Sequence, residues 1–174
     1  MNIKNFRKIR LSAMLAVGAI VATASVAQFV GPVVPIVGKR TYGFFDAAYA
    51  KSEKVQHLGV DISAKENAEV RSPVDGTVIL NNTWASDVMQ AYLVIKGPDG
   101  EHVLGHIASA FANGAKVKRN QIVGKVRPWP GNAHVHWGIN KQGVAQSITG
   151  KWGWGRAPLS ASVKDATDKG WVNF

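Results

Sequence analysis

"NAHVHWGIN", residues 132–140, decides how the rest of the chain is read. With a period of two, His134, His136 and Gly138 share one face of an extended segment, and Val135, Trp137 and Ile139 share the other. The apolar face belongs against a core. The opposite face carries two imidazoles and a residue without a side chain, which is an arrangement for meeting other ligand-type groups rather than for plain solvation. A second stretch repeats it. In "HLGVDI", residues 57–62, His57, Gly59 and Asp61 alternate with Leu58, Val60 and Ile62. Two such strands side by side can bring imidazoles and a carboxylate around one cation. Catalytic zinc takes three nitrogen or oxygen ligands and keeps a position for water. His57, Asp61 and one of His134 or His136 satisfy that count, and imidazole with a single carboxylate suits zinc better than calcium or magnesium.

Around these strands, short alternating runs are broken by turn residues. "VQHLGVDI" reads as one strand, and "EVRSPVDGTVILN" as a hairpin turning at Pro73–Gly76. "AYLVIKGPDGEHVLGHI" reads as a hairpin around Pro98-Asp99-Gly100, and "AKVKRNQIVGKV" turns near Arg119-Asn120. No helical period persists between 55 and 145, so the expected fold is mostly β, an antiparallel sheet or sandwich. Residues 28–54 read as a linker and lead-in, 55–145 as the domain, and 146–174 as a Trp- and Gly-rich extension with one short helix at 160–169. Five of the six tryptophans lie between 129 and 171. They are expected to pack the extension on the sheet, with Trp152 or Trp154 as an alternative groove wall. His102 reads as an edge residue without a function.

The chain has 174 residues and a formal charge of +10. Lys4, Arg7, Lys8 and Arg10 precede an apolar run from Leu11 to Ala24, and Ser25-Val26-Ala27 supplies a small-residue cleavage site. This is a signal-peptide pattern over residues 1–27, with an uncleaved membrane anchor as the rival reading. Both export the remainder, whose charge without residues 1–27 is +6. The absence of cysteine excludes a disulfide framework, a thiolate zinc site and a cysteine nucleophile. Two other uses of His-x-His also fail. A cupin needs a downstream Glu, and the last is Glu101; a metallo-β-lactamase needs Asp where Gly138 stands.

Three motifs in order, "HLGVD", "LGHIA" and "HVHWGI", together with "RSPVDGTVI" and "AKVKRNQIVGKV" between them, resemble the lysostaphin/LytM family of zinc metallopeptidases. The resemblance covers about residues 55–140. It implies a lysostaphin-type domain (the duplicated hybrid motif), Zn2+ bound by His57, Asp61 and His136, and catalytic histidines His106 and His134. It further implies an exported endopeptidase acting on peptidoglycan peptides at an anionic cell-wall surface, with no nucleic-acid partner; a retained N-terminus would add membrane association. The alternative within the family is a non-catalytic regulator of other wall hydrolases. Where family members often have Tyr-x-His-Leu, this chain has Leu104-Gly105-His106-Ile107, so an aromatic lining residue is expected to be missing. "TWASDVMQAYLVI" and "RPWPGNAH" also depart from the pattern, in loops expected to form the groove.

Overall fold

A computed structural model describes residues 31–143, 145 and 152–174. The expected signal segment, residues 1–27, and residues 146–151 of the extension lie outside them. The described elements are β1 (Arg40–Tyr42), α1 (Ala47–Glu53), β2 (Val55–His57), β3 (Val60–Ser63), β4 (Glu69–Arg71), β5 (Gly76–Asn81), β6 (Tyr92–Gly97), β7 (Gly100–Gly105), β8 (Ile107–Ala108), β9 (Lys116–Val117), β10 (Ile122–Val126), β11 (His134–Asn140), β12 (Arg156–Pro158) and α2 (Val163–Asp168). The main sheet has seven strands in the order β1-β3-β11-β7-β6-β5-β9; β4-β10-β8 and β12-β2 form two smaller sheets. The pairings are antiparallel, as the alternating runs predict.

β11 lies inside the main sheet between β3 and β7. Its apolar face, Val135, Trp137 and Ile139, joins Val60, Ile62, Leu93, Ile95 and Leu104 in a core closed from the other side by Val70, Ile107, Val123 and Val126 of the three-stranded sheet. Leu93, Ile95, Leu104 and Ile107 are completely buried; each such side chain stabilises the fold by about 1.5–3 kcal/mol. The opposite face of the main sheet carries a second cluster. There Leu58, Tyr92, Val94 and Val103 meet Ala157, Ala166 and Trp171 of the extension. Gly138 has its reason here: a Cβ would come within 2.7 Å of the Leu58 carbonyl and 3.2 Å of the Trp171 ring.

Several local expectations need correction. "VQHLGVDI" is two strands, not one: β2 pairs with β12, whereas β3 pairs with β1 and β11. The chain breaks at Leu58-Gly59, where the Leu58 N–H donates to the Gly155 carbonyl at 2.8 Å. The hairpin at Pro73–Gly76 is a crossing between sheets, because β4 pairs with β10 and β5 with β6 and β9. The turn near Asn120 likewise joins β9 and β10 of different sheets. The β6–β7 hairpin around Pro98-Asp99 is as predicted, with Gly97 opposite Gly100. Residues 31–54 hold more than a lead-in. β1 extends the main sheet, and α1 is capped by Asp46, whose Oδ1 accepts from Ala48 N at 2.9 Å and Tyr49 N at 3.1 Å. In the extension, α2 begins with a reciprocal Ser162/Asp165 capping box.

Candidate metal centre and active site

The register of β3 on β11 places Asp61 opposite His136 and Ser63 opposite His134. His57, at the end of β2, reaches the same point from the smaller sheet because the chain turns back at Gly59, whose missing Cβ lets it run against the Trp137 carbonyl. Three atoms converge. His57 Nε2 is 2.8 Å from His136 Nδ1 and 3.1 Å from Asp61 Oδ1, and His136 Nδ1 is 3.0 Å from that same oxygen. All three residues are buried.

Backbone carbonyls set the imidazole tautomers. A carbonyl only accepts, so a ring nitrogen facing one carries the proton. His57 Nδ1 donates to Gly43 O at 2.7 Å, which leaves Nε2 with a bare lone pair facing the centre. The Tyr49 ring stacks on the same imidazole, with centroids 4.3 Å apart. A histidine whose second nitrogen is tied to a carbonyl is a preorganised metal ligand. His136 is enclosed differently. Its Nε2 is buried without a hydrogen-bond partner among the described residues and lies against Gly155, where any Cβ would collide with it. Gly155 also has φ +84°.

The charge state suits a cation. Burial alone would raise the Asp61 pKa, but the hydrogen bonds of His136 and His57 prevail and hold its carboxyl well below the usual carboxylate range. Burial lowers His136 to about 4, so its ring is neutral at pH 7. One carboxylate and two imidazoles, with ligand atoms within 4.8 Å of one another, are a donor set that fits zinc.

The other two predicted site histidines stand beside this triangle. His134 Nε2 is 3.7 Å from Asp61 Oδ2, and its Nδ1 donates to Asn132 O at 2.6 Å. His106 follows β7 in a left-handed conformation, φ +63°, held by His106 N→Ala91 O at 2.7 Å and Arg127 N→His106 O at 2.9 Å. That backbone turn takes its side chain out of the alternation of β7. Its Nδ1 donates to Val88 O at 3.0 Å, and burial lowers its pKa to about 3. The two rings lie 4.5 Å apart, and Trp129 packs on both at 5.2 and 5.3 Å. A groove of about 750 Å3 and a cleft of about 120 Å3 both open at Asp61 and His134; Tyr42, Trp129 and Asn132 also border both.

The structure thus gathers all five predicted residues. His102 is not an edge residue: it is fully buried, accepts from Trp137 Nε1 at 3.2 Å and donates to Asp99 Oδ1 at 2.9 Å. Tyr92 of β6 packs beside His106, its ring 5.9 Å away and filling the space above Gly105, but it is buried in the second cluster and borders neither the groove nor the cleft. Trp152 and Trp154 pack in the second cluster, as the packing reading predicts. Gly43, Tyr49, Val88 and Gly155 were not found by sequence reasoning. Three of them act through the backbone, which leaves no side-chain signature.

Two imidazoles and a carboxylate closed into a buried triangle, on an antiparallel β scaffold, form a candidate metal site. The chain belongs to peptidase family M23, whose family model matches residues 55–148. Among solved structures it is similar to Csd3 of Helicobacter pylori (26% identity, 63% of this chain and 30% of that one, TM-score 0.50). It is similar to a zinc-containing peptidase of Vibrio cholerae (24%, 63% and 35%, 0.50) and to the antimicrobial peptidase lysostaphin of Staphylococcus simulans (18%, 74% and 50%, 0.52). The chain spans no more than half the length of these three. Among curated proteins, none matches it in sequence.

Proposed function

We propose that the protein is an exported zinc-dependent endopeptidase that hydrolyses peptide bonds in peptidoglycan stem peptides or cross-bridges. The observation that carries this reading is the convergence of His57 Nε2, Asp61 Oδ1 and His136 Nδ1 beside the His106–His134 pair. Zinc held by the first three residues would supply Lewis acidity and lower the pKa of a water.

The chain's own groups handle the protons. His134 and His106 both carry their proton on Nδ1, so each begins with a bare Nε2. His134, beside Asp61 and partly open to the groove, takes a proton from the attacking water and returns it to the leaving nitrogen. His106 is kept neutral by burial and serves as a hydrogen-bond acceptor that orients the water. The products are a carboxylate and an amine, with one water consumed. The basic domain and the N-terminal signal pattern support a place at the anionic cell wall. Among the described residues, no helix is long and apolar enough to cross a membrane.

The test is hydrolysis of purified peptidoglycan by the zinc-loaded protein, with new termini identified by mass spectrometry. Asp61→Ala is expected to lose zinc and activity together, whereas His134→Ala keeps zinc and loses activity. A folded, zinc-loaded protein that releases no fragments from several wall types refutes the enzyme and leaves the regulator.

A further inference from the structure

The two sides of the groove differ in charge. The larger lobe is bordered by Lys39 and Arg40 at the start of β1 and by Lys65 just after β3, all exposed. Among the described residues, neither of its carboxylates forms an ion pair with them. Asp61 is buried and turned onto His57 and His136, and Glu66 Oε1 accepts the Trp129 N–H at 2.8 Å. Arg40 uses one N–H on the Phe174 carbonyl at 3.3 Å. The smaller cleft is bordered by Tyr49, Glu53, Met89 and His106 and, among the described residues, by no lysine or arginine. Arg156, which meets Met89 Sδ at 3.6 Å, also hydrogen-bonds Tyr49 and lies within electrostatic reach of Glu53, so the carboxylate of this cleft is balanced. A peptide lying across Asp61 and His134 therefore meets three exposed cations where it enters the larger lobe, and a carboxylate balanced by Arg156 where it enters the smaller cleft.

We infer that Lys39, Arg40 and Lys65 select the substrate, and that the peptide arm lying in their lobe carries a free carboxylate. The inference rests on the endopeptidase reading of the site. Arg40 opens β1 and Lys39 directly precedes it, both ahead of the residues the family model matches, so two of the three cations come with the N-terminal strand added to the sheet. An exposed cation contributes little alone, but three facing one anionic ligand together give on the order of tenfold in kcat/KM, expressed in KM and weakened by salt. The competing role for these residues is to charge the exposed edge of β1 against pairing with another chain.

The probes are two soluble peptidoglycan stem fragments that are identical except that one has its free carboxylates amidated. With zinc-loaded protein, the acidic fragment is expected to show a KM about tenfold lower at low ionic strength, with the gap closing in high salt. In Lys39→Gln/Lys65→Gln the ratio of kcat/KM between the fragments falls toward one, with unchanged zinc content. Equal KM values for the wild type, or a preference that survives in the double variant, overturn the inference and leave β1 edge protection as the role. If neither fragment is cut, the endopeptidase reading fails separately. Calorimetric binding of the two fragments to the same protein then decides the charge preference, and equal affinities overturn it.

Discussion

At the scale of single residues, the centre depends on groups that touch its ligands without being ligands. Tyr49 covers one face of His57, and Gly155 leaves room for His136. Tyr49→Ala is expected to weaken zinc binding by about 10–100-fold while the protein stays folded; competition with a chelator measures it. Gly155→Ala places a methyl where His136 Nε2 lies and forces a left-handed φ on alanine, so it should lower zinc affinity more than Tyr49→Ala does. Equal affinity in that variant would mean that the extension does not press on the ligand. Protonation belongs at this scale too. The folded pKa values of His106, about 3, and His136, about 4, lie below the ordinary 6.5, and Asp61 is also depressed. For a depressed group the unfolded chain takes up protons that the folded chain refuses. Stability of the zinc-free protein should therefore be flat above about pH 6.5 and fall as pH drops toward 3, with a shallower fall in His106→Gln; urea midpoints at pH 7.5, 6 and 4.5 test this.

At the scale of elements, legibility followed what a strand pattern can encode. β11 and the β6–β7 hairpin were readable because alternation and a two-residue turn determine both strand and partner. The turns at Pro73–Gly76 and Asn120 were readable as turns, but turn chemistry does not say which sheet receives the next strand. The break at Leu58-Gly59 was invisible because it leaves the period of two undisturbed, although it separates two sheets. Even so, the site survived the misreading, since His57 and Asp61 meet through the turn rather than along one strand. α1 escaped because seven residues give too little period to detect. It carries Tyr49, so its cap matters to the metal centre. Asp46→Ala should cost about 1 kcal/mol and also lower zinc affinity, a coupling that thermal melts with and without zinc would reveal.

At the scale of the whole molecule, the extension and the N-terminal segment close around a family domain that covers only residues 55–148. Trp171 is almost fully buried against the second cluster, and Arg40 reaches Phe174. The three ligands come from strands in two sheets, so a bound ion ties those sheets together. Zinc at a hundred times its dissociation constant should stabilise the fold by about 2.7 kcal/mol, and a chelator should lower the melting temperature accordingly. An unchanged melt would place the ligands in a unit that is rigid without the ion and indifferent to it.

β2 has β12 as its partner, and the two are separated by nearly the whole domain in chain order. A ribosome releases His57 early and the strand that steadies it late. Until Gly155 and Arg156 have emerged, the carbonyl that receives the Leu58 N–H does not exist. Synthesis thus acts as a timer: the candidate metal centre reaches its finished form only after Gly155 and Arg156 have been delivered.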